Sequence, residues 1–426
     1  MTEVIIIGGG PAGSTMGCFL SKAGIKNIIL EGQNHPRAHV GESMVMSSVR
    51  VFDEIGFLPT LEREAFPKKF GASWHEIGGR EAAITFSEFP QPGINQPYTY
   101  HVDRGRLDLL MLKHAESFGS QIHQGVLVKE ILFDGDRARG VRAQFAGKEI
   151  DLECKMVVDA SGRHTQLGRQ LKLKKNDPIF DQFAVHAWFE NVARGQPDTA
   201  DYIHVYFLPV ERGWAWQIPI TDKITSMGIV AEKAVFRQFA GEPEAYFNKF
   251  VESNKALSRA MSSAVRVNEY KTEGDYSYCM DKFVGPGWIL IGDAARFVDP
   301  IFSSGVSIAL YTAKYGSEVI RKAFETGDFS VATFKPYEDK VRAGVGVWYE
   351  FIRLYYKLLP LFTHFIRSKK HRLDVLQLLQ GEVYDRREVP VLGAMRRYID
   401  DVEKTENHLF KNQLASIPID DLPLPD

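Results

Sequence analysis

Apolar residues in this chain fall into short unbroken runs, alternating runs and one long helical stripe, and each pattern predicts a different element. "VIII" at residues 4–7, "NIILE" ending at Glu31, "KMVVD" ending at Asp159 and "GWILIGD" ending at Asp293 are short and closed by glycine or an acid, as strands buried on both faces are. "STMGCFLSKAG" between the first two carries the helical period, so a strand, a helix and a second strand open the chain. "GWAWQIP" alternates instead, with Trp214 and Trp216 on one face of a strand and Ala215 and Gln217 on the other. "KKFGASW" sets Lys68 and Lys69 at the entrance to another alternating strand, although lysine is a poor strand former and usually solvated. Later, Trp348, Ile352, Tyr355, Leu359, Phe362 and Ile366 recur every three or four residues, which predicts one buried helix face, kinked or interrupted at Pro360.

The turn after the first strand carries Gly8, Gly10 and Gly13 in G-x-G-x-x-G spacing. The first glycine permits the tight turn, the second lets a pyrophosphate approach the backbone, and the third lets helix pack on strand. Glu31 then ends the second strand, where a carboxylate accepts hydrogen bonds from a ribose diol. A lone glycine pattern is weak, but strand, glycines, helix, strand and terminal acid in this order announce a dinucleotide site, for NAD or FAD. No second G-x-G-x-x-G follows a later strand, so a nicotinamide domain is not expected.

Composition narrows the partners. The 426 residues are enough for more than one hydrophobic unit, and 52 lysines and arginines against 54 acidic residues give no electrostatic case for nucleic acid. Cys18, Cys154 and Cys279 are far apart, with no CxxC and no histidine at ligand spacing, so they read as reduced core residues of a cytoplasmic protein and no metal site is expected. The start shows no secretory pattern. Glu350, Arg353, Lys357 and His364 rule out a simple membrane span in the most apolar late stretch. The Pro-rich end "ASIPIDDLPLPD" reads as a surface tail.

"VIIIGGGPAG", "MVVDASGR" and "GDAARFVDPIFSSGVSIAL", in this order and separation, resemble the FAD module of the aromatic hydroxylase and flavin-dependent halogenase superfamily. The resemblance implies that Gly292 and Asp293 contact the FAD phosphate and ribityl region, that Arg104 of "HVDRGRLD" lies near the ribityl chain, and that Asp159, Pro300 and Gly305 belong to the cofactor site. Read alone, Arg104 is equally a surface residue at a helix start. Ser304 and Gly305 offer backbone N–H groups where a helix begins, a weak anion site suited to halide. They equally serve to cap the helix and touch the flavin ring.

"GWAWQIP" also matches the W-x-W-x-I-P element of flavin-dependent halogenases, and Lys69 fits the register of that family's essential lysine, whereas Lys68 does not. The resemblance implies that reduced FAD and O2 give a C4a-hydroperoxide, that chloride or bromide takes its distal oxygen to form hypohalous acid, and that Lys69 passes the halogen on, by hydrogen bonding or as a haloamine. Burial would lower the lysine pKa and favour the second route. Phe302 stands where tryptophan halogenases carry a glutamate, and a phenyl ring cannot take a proton, so free tryptophan is not expected as substrate.

Nearly the whole chain, including "GDYSY", "WYEFIRLYYKLL" and "RLDVLQLLQGEVY", resembles the pyrrolyl carrier protein halogenases of the pyoluteorin type. That implies a pyrrolyl group on an acyl or peptidyl carrier protein, with a phenol as the alternative substrate, and reduced FAD from a separate flavin reductase. Trp214, Trp216, Phe302, Tyr349 and Tyr356 are the expected pocket residues, with core packing as the alternative for the two tyrosines. Arg342, Arg353, Lys357, Arg367, Lys369, Lys370 and Arg372 suggest a basic docking face for an acidic carrier, or an ordinary solvated surface. A single-component FAD hydroxylase and a lipid-saturating reductase share the fold, but Lys69 and "GWAWQIP" argue against the first. The expected architecture is α/β: a Rossmann-like FAD-binding module from 1–65, 100–175 and 281–330, an inserted β-sheet substrate subdomain from 66–99 and 176–280, and a helical region from 331–426.

Overall fold

Val4–Ile7 and Met156–Asp159 are buried on every side and pair in parallel, Val4 opposite Met156 through Ile7 opposite Asp159, at the centre of a six-stranded sheet. The computed structural model describes residues 2–274, 277–384 and 389–419. Asp275 and Tyr276 of "GDYSY", and 420–426 of the Pro-rich tail, lie outside the described residues. Asn27–Glu31 and Gln121–Gln124 extend the sheet on one side, Trp288–Leu290 and the antiparallel edge Val284–Gly285 on the other. Helix Pro11–Lys22 packs against helices Arg104–Ser117 and Ser304–Thr326 over this sheet. The strand ends, the glycine turn and the N-terminus of Ser304–Thr326 therefore gather at one edge, the place where open α/β sheets bind ligands.

A second sheet of eight strands runs Val265–Arg266, Gln182–Glu190, Thr225–Glu232, Trp214–Pro219, Ile203–Phe207, Gly71–His75, Glu81–Thr85, with Lys271–Glu273 also on Gln182–Glu190. Alternation along Trp214–Pro219 divides its side chains. Trp214, Trp216 and Ile218 join the large core shared with the first sheet, whereas Ala215 joins a separate core under helices Pro243–Ser253 and Lys255–Met261. Lys68–Lys69 is a two-residue strand of its own, paired with Thr99–Tyr100 and separated from Gly71–His75 by one residue.

Helix Val331–Lys357 ends before Pro360, and a 3-10 turn Leu359–Leu361 leads into Phe362–Arg367. All six residues of the expected stripe are buried, but so are Tyr349, Phe351, Leu354 and Tyr356. The expectation of one buried face is corrected: this end of the helix is enclosed all round, with Phe351 stacked on Phe302 and Tyr356 bonded to Trp214. Most of the basic residues expected to form a docking face, or an ordinary solvated surface, have partners within the chain. Arg342 is paired with Glu338, Lys357 is buried beside Glu403, Arg367 meets Glu76, Arg372 meets Glu88, and buried Arg353 donates to the Pro418 carbonyl. Of those seven residues only Lys369 and Lys370 are exposed without an ion pair among the described residues. The first part of the tail is packed down as well, with Ile417 buried and Ala415 N–H bonded to the Lys357 carbonyl. Among the described residues no helix is long and apolar enough to cross a membrane.

Candidate active site

The glycine turn is shaped as its spacing requires. Gly8 has φ of +103°, and a Cβ there would lie 2.5 Å from the Ala160 carbonyl oxygen; a Cβ on Gly13 would lie 1.9 Å from that of Gly8. Around Gly10 the nearest obstacle is an Arg37 guanidinium nitrogen at 3.7 Å, so the helix N-terminus opens onto free space next to a cation. Gly10 is the N-cap and offers no side-chain cap to the first turn. An anionic pyrophosphate fits that opening. Burial alone would raise the Glu31 pKa, but His35 at 3.7 Å, the N–H groups of Gly9 and Gln33, and Arg37 bring it down to about 2. Glu31 is thus held ionised at the end of its strand.

Arg104 is the first residue of its helix, but it is 6 % exposed and not a surface residue. Its guanidinium makes two bonds to Asp108, of 2.8 and 3.0 Å, and one of 2.6 Å to the Val40 carbonyl. Asp159 accepts from Ser161 N–H at Oδ1 and from Leu167 N–H at Oδ2, so its carboxylate shapes the following loop. Gly292 adopts φ of +58° where helices Pro11–Lys22 and Ser304–Thr326 close in, and its N–H bonds to Thr312. Burial lifts half-buried Asp293 to about 6, against the opposing charges of Arg163 and Arg104.

Pro300 opens a 3-10 turn, and Ser303 in the left-handed region (φ +57°) turns the chain into helix Ser304–Thr326 without capping it through its side chain. The Ser304 hydroxyl is fully buried and has no hydrogen-bond partner among the described residues, and no described atom beyond its chain neighbours and its own helix's backbone lies within 4 Å of a Cβ on Gly305. Uncapped N–H groups and an unpartnered hydroxyl are the kind of groups that a weakly held anion pairs with.

The two lysines part company. Lys68 is half-exposed, 3.2 Å from Glu62 and bonded to the Tyr98 hydroxyl, and those partners raise its pKa. Lys69 is 3 % exposed, donates to the Met44 carbonyl at 2.8 Å, and lies 5.7 Å from the Phe86 ring centre. Burial lowers its pKa to about 7. Burial and the Lys69 charge hold neighbouring His101 well below its usual value.

Phe302, Phe351, Tyr355, Trp348 and Phe362 form one aromatic wall, with Phe302 stacked on Phe351 at 4.4 Å. Trp214 Nε1–H donates to the Tyr356 hydroxyl, which donates to Asp299 Oδ1, each at 2.8 Å. Tyr349 and Tyr356 both pack against Phe180, and Tyr349 lies under Arg296. Trp216 covers Gly228 and bonds Ser226. Two buried acids escape sequence reading: Glu42, which accepts from Trp188, and Asp299, both raised to about 7 by burial. Only the Arg104–Asp108 pair carried a signal, its i, i+4 spacing on a helix.

The FAD binding domain family matches residues 1–316. The chain is 43% identical to the 1H-pyrrole-2-carbonyl-[peptidyl-carrier protein] chlorinase of Pseudomonas fluorescens, covering 98% of this chain and 97% of that one. It belongs to the flavin-dependent halogenases. This halogenase is also 30% identical to the 1H-pyrrole-2-carbonyl-[peptidyl-carrier protein] brominase of Pseudoalteromonas luteoviolacea, over 90% and 92% of the two chains. A flavin-dependent brominase of known structure, 27% identical, superposes with a TM-score of 0.86 over 95% of the halogenase and 100% of the brominase. The halogenase uses FAD, and its glycine cradle, open helix N-terminus and ionised Glu31 fit that cofactor.

Proposed function

We propose that the halogenase acts on a pyrrole-2-carbonyl group tethered to a peptidyl carrier protein, with Lys69 as the catalytic amine and a separate flavin reductase supplying reduced FAD. The tethered substrate rests on the 43% identity, nearly end to end, to a chlorinase of that description. The observation that carries the catalytic reading is Lys69: a fully buried amine with no carboxylate partner among the described residues and a pKa near 7. Three free, buried cysteines accord with a reducing compartment, the cytoplasm.

Gly8, Gly10 and Gly13 would seat the FAD pyrophosphate and Glu31 its ribose diol. Arg104, Gly292 and Asp293 would flank the ribityl chain, with Pro300 and Gly305 next to the ring. Bound FAD, reduced and then exposed to O2, supplies the oxidising equivalents that turn halide into hypohalous acid. Ser304 and Gly305 hold the halide through their N–H groups and the helix dipole. As the neutral amine that burial favours over the ammonium, Lys69 would take the halogen from hypohalous acid, breaking the halogen–oxygen bond and losing one N–H proton, with water as the leaving molecule. The tryptophan strand and the Phe302 wall keep water from the reactive halogen and orient the ring. Pyrrole is electron-rich, so orientation in a dry pocket suffices where Phe302 offers no base.

Intact-protein mass spectrometry of the pyrrolyl carrier, with the halogenase, FAD, a flavin reductase, NADH, O2 and halide, tests this reading. A halide-dependent halogen mass gain on the carrier is expected. An unchanged carrier beside a halogenated free phenol would refute the tethered substrate, and halide-independent oxygen insertion would refute halogen transfer.

A further inference from the structure

On the large sheet, Trp74 points into the core beside Phe362, so its neighbours Ser73 and His75 point to the opposite face, away from the halogenase centre. Register brings other ligating groups to that face. Glu81 lies directly across from His75 on the edge strand, and His204 lies across from Ser73 on the parallel neighbour Ile203–Phe207. His75 Nε2 and His204 Nδ1 are 2.9 Å apart, and these atoms and a Glu81 carboxylate oxygen all lie within 4.8 Å of one another. Nothing in the flavin, halide or lysine sites uses any of the three.

We propose that His75, His204 and Glu81 form a zinc site, holding Zn2+ through two imidazole nitrogens and one carboxylate oxygen, with water in the fourth position. The donor set is one that zinc accepts, at about 2.0–2.2 Å per bond, and the three ligand atoms come from adjacent strands and lie close enough to share one ion. His204 Nε2 lies 3.0 Å from the Thr199 carbonyl, to which it donates, which leaves Nδ1 unprotonated, its lone pair accepting from His75 Nε2 until a metal ion takes the place of that proton. Ser73 Oγ donates to Glu81 Oε1 at 2.5 Å and fixes the carboxylate in the same manner. Tyr206 stacks on the His75 ring at 4.5 Å and fixes its plane. These are the outer contacts that orient ligands at metal sites, and here they surround all three.

His75 and His204 are buried, so the two imidazoles are held in place by the surrounding sheet. Glu81 is exposed and gives the ion a way in from solvent. Zn2+ would cross-link three strands at the sheet edge. The turn joining two of them carries Glu76, which holds Thr363 and Arg367 of helix Phe362–Arg367. A metal there would pin the hairpin against which the late helices dock. The expectation of no metal site rested on spacing along the chain, and spacing is blind to a pair 129 positions apart.

The test uses the full chain, stripped by a chelator and then titrated with Zn2+, with bound metal counted by elemental analysis and Co2+ as a visible-absorption probe of tetrahedral nitrogen and oxygen coordination. One Zn2+ per chain, a rise in melting temperature on binding, and tetrahedral Co2+ bands are expected. Glu81→Gln is near-isosteric and exposed, so it folds, keeps flavin and carrier halogenation at wild-type levels, and weakens zinc about tenfold or more. His204→Ala abolishes binding. Absence of stoichiometric zinc would overturn the proposal, as would binding that neither substitution weakens.

Discussion

Lys69 is the residue at which stability and the proposed function oppose each other. Its folded pKa of about 7 lies below the ordinary 10.5, so the folded state resists protonation. The cost is absent above the unfolded pKa, grows as pH falls, and is complete below about 7. Lys69→Met, of similar shape and no charge, should therefore melt higher than wild type near about pH 6, the gap closing toward about pH 10, while halogen transfer is lost. At about 1.4 kcal/mol per pKa unit the difference at low pH is on the order of a few kcal/mol, measurable by denaturant titration at several pH values. The motif register distinguished Lys69 from Lys68, but the physical contrast between them came from elsewhere. Lys68 owes its raised pKa to Tyr98 and Glu62, and Lys69 its lowered one to burial under Phe86. Glu42 and Asp299 were illegible for the same reason, since burial by remote segments raises their pKa values and no local pattern records it.

At the scale of elements, the strand–turn–helix unit is the most legible part, because its constraints are local. Gly13 must lack a Cβ to let helix Pro11–Lys22 approach the turn, so Gly13→Ala should cut bound FAD by about tenfold or more, read from flavin absorbance after gel filtration. The helix Val331–Lys357 was half legible. Periodicity found its apolar stripe, but a stripe records one packing partner, and here Phe302, Trp214 and Phe180 surround the helix end. The Trp214–Tyr356–Asp299 chain spans three elements and is buried throughout. Tyr356→Phe leaves the Trp214 N–H without an acceptor and should cost about 1–3 kcal/mol of stability by chemical denaturation.

Across the whole molecule, the sequence announced a FAD-dependent halogenase through motifs separated by hundreds of residues, and the fold brings their strand ends to one edge. Surface properties were harder to read. The basic residues of the late helices suggested a docking face, yet Glu76, Glu88, Glu338 and Glu403 neutralise most of them within the chain. Charge counted along a segment misses partners supplied by other segments. The His75–His204–Glu81 cluster shows the converse, a constellation assembled entirely by sheet register.

The proposed role of Lys69 is to transfer a halogen that has already been oxidised next to the flavin. It is tested most directly by running Lys69→Ala and wild type in parallel with reduced FAD, O2, halide and pyrrolyl carrier, reading flavin content, hypohalous acid with a small-molecule trap, and the carrier by mass. The variant is expected to keep its flavin, still release hypohalous acid to the trap, and leave the carrier unhalogenated. A variant that halogenates the carrier at the wild-type rate would contradict it.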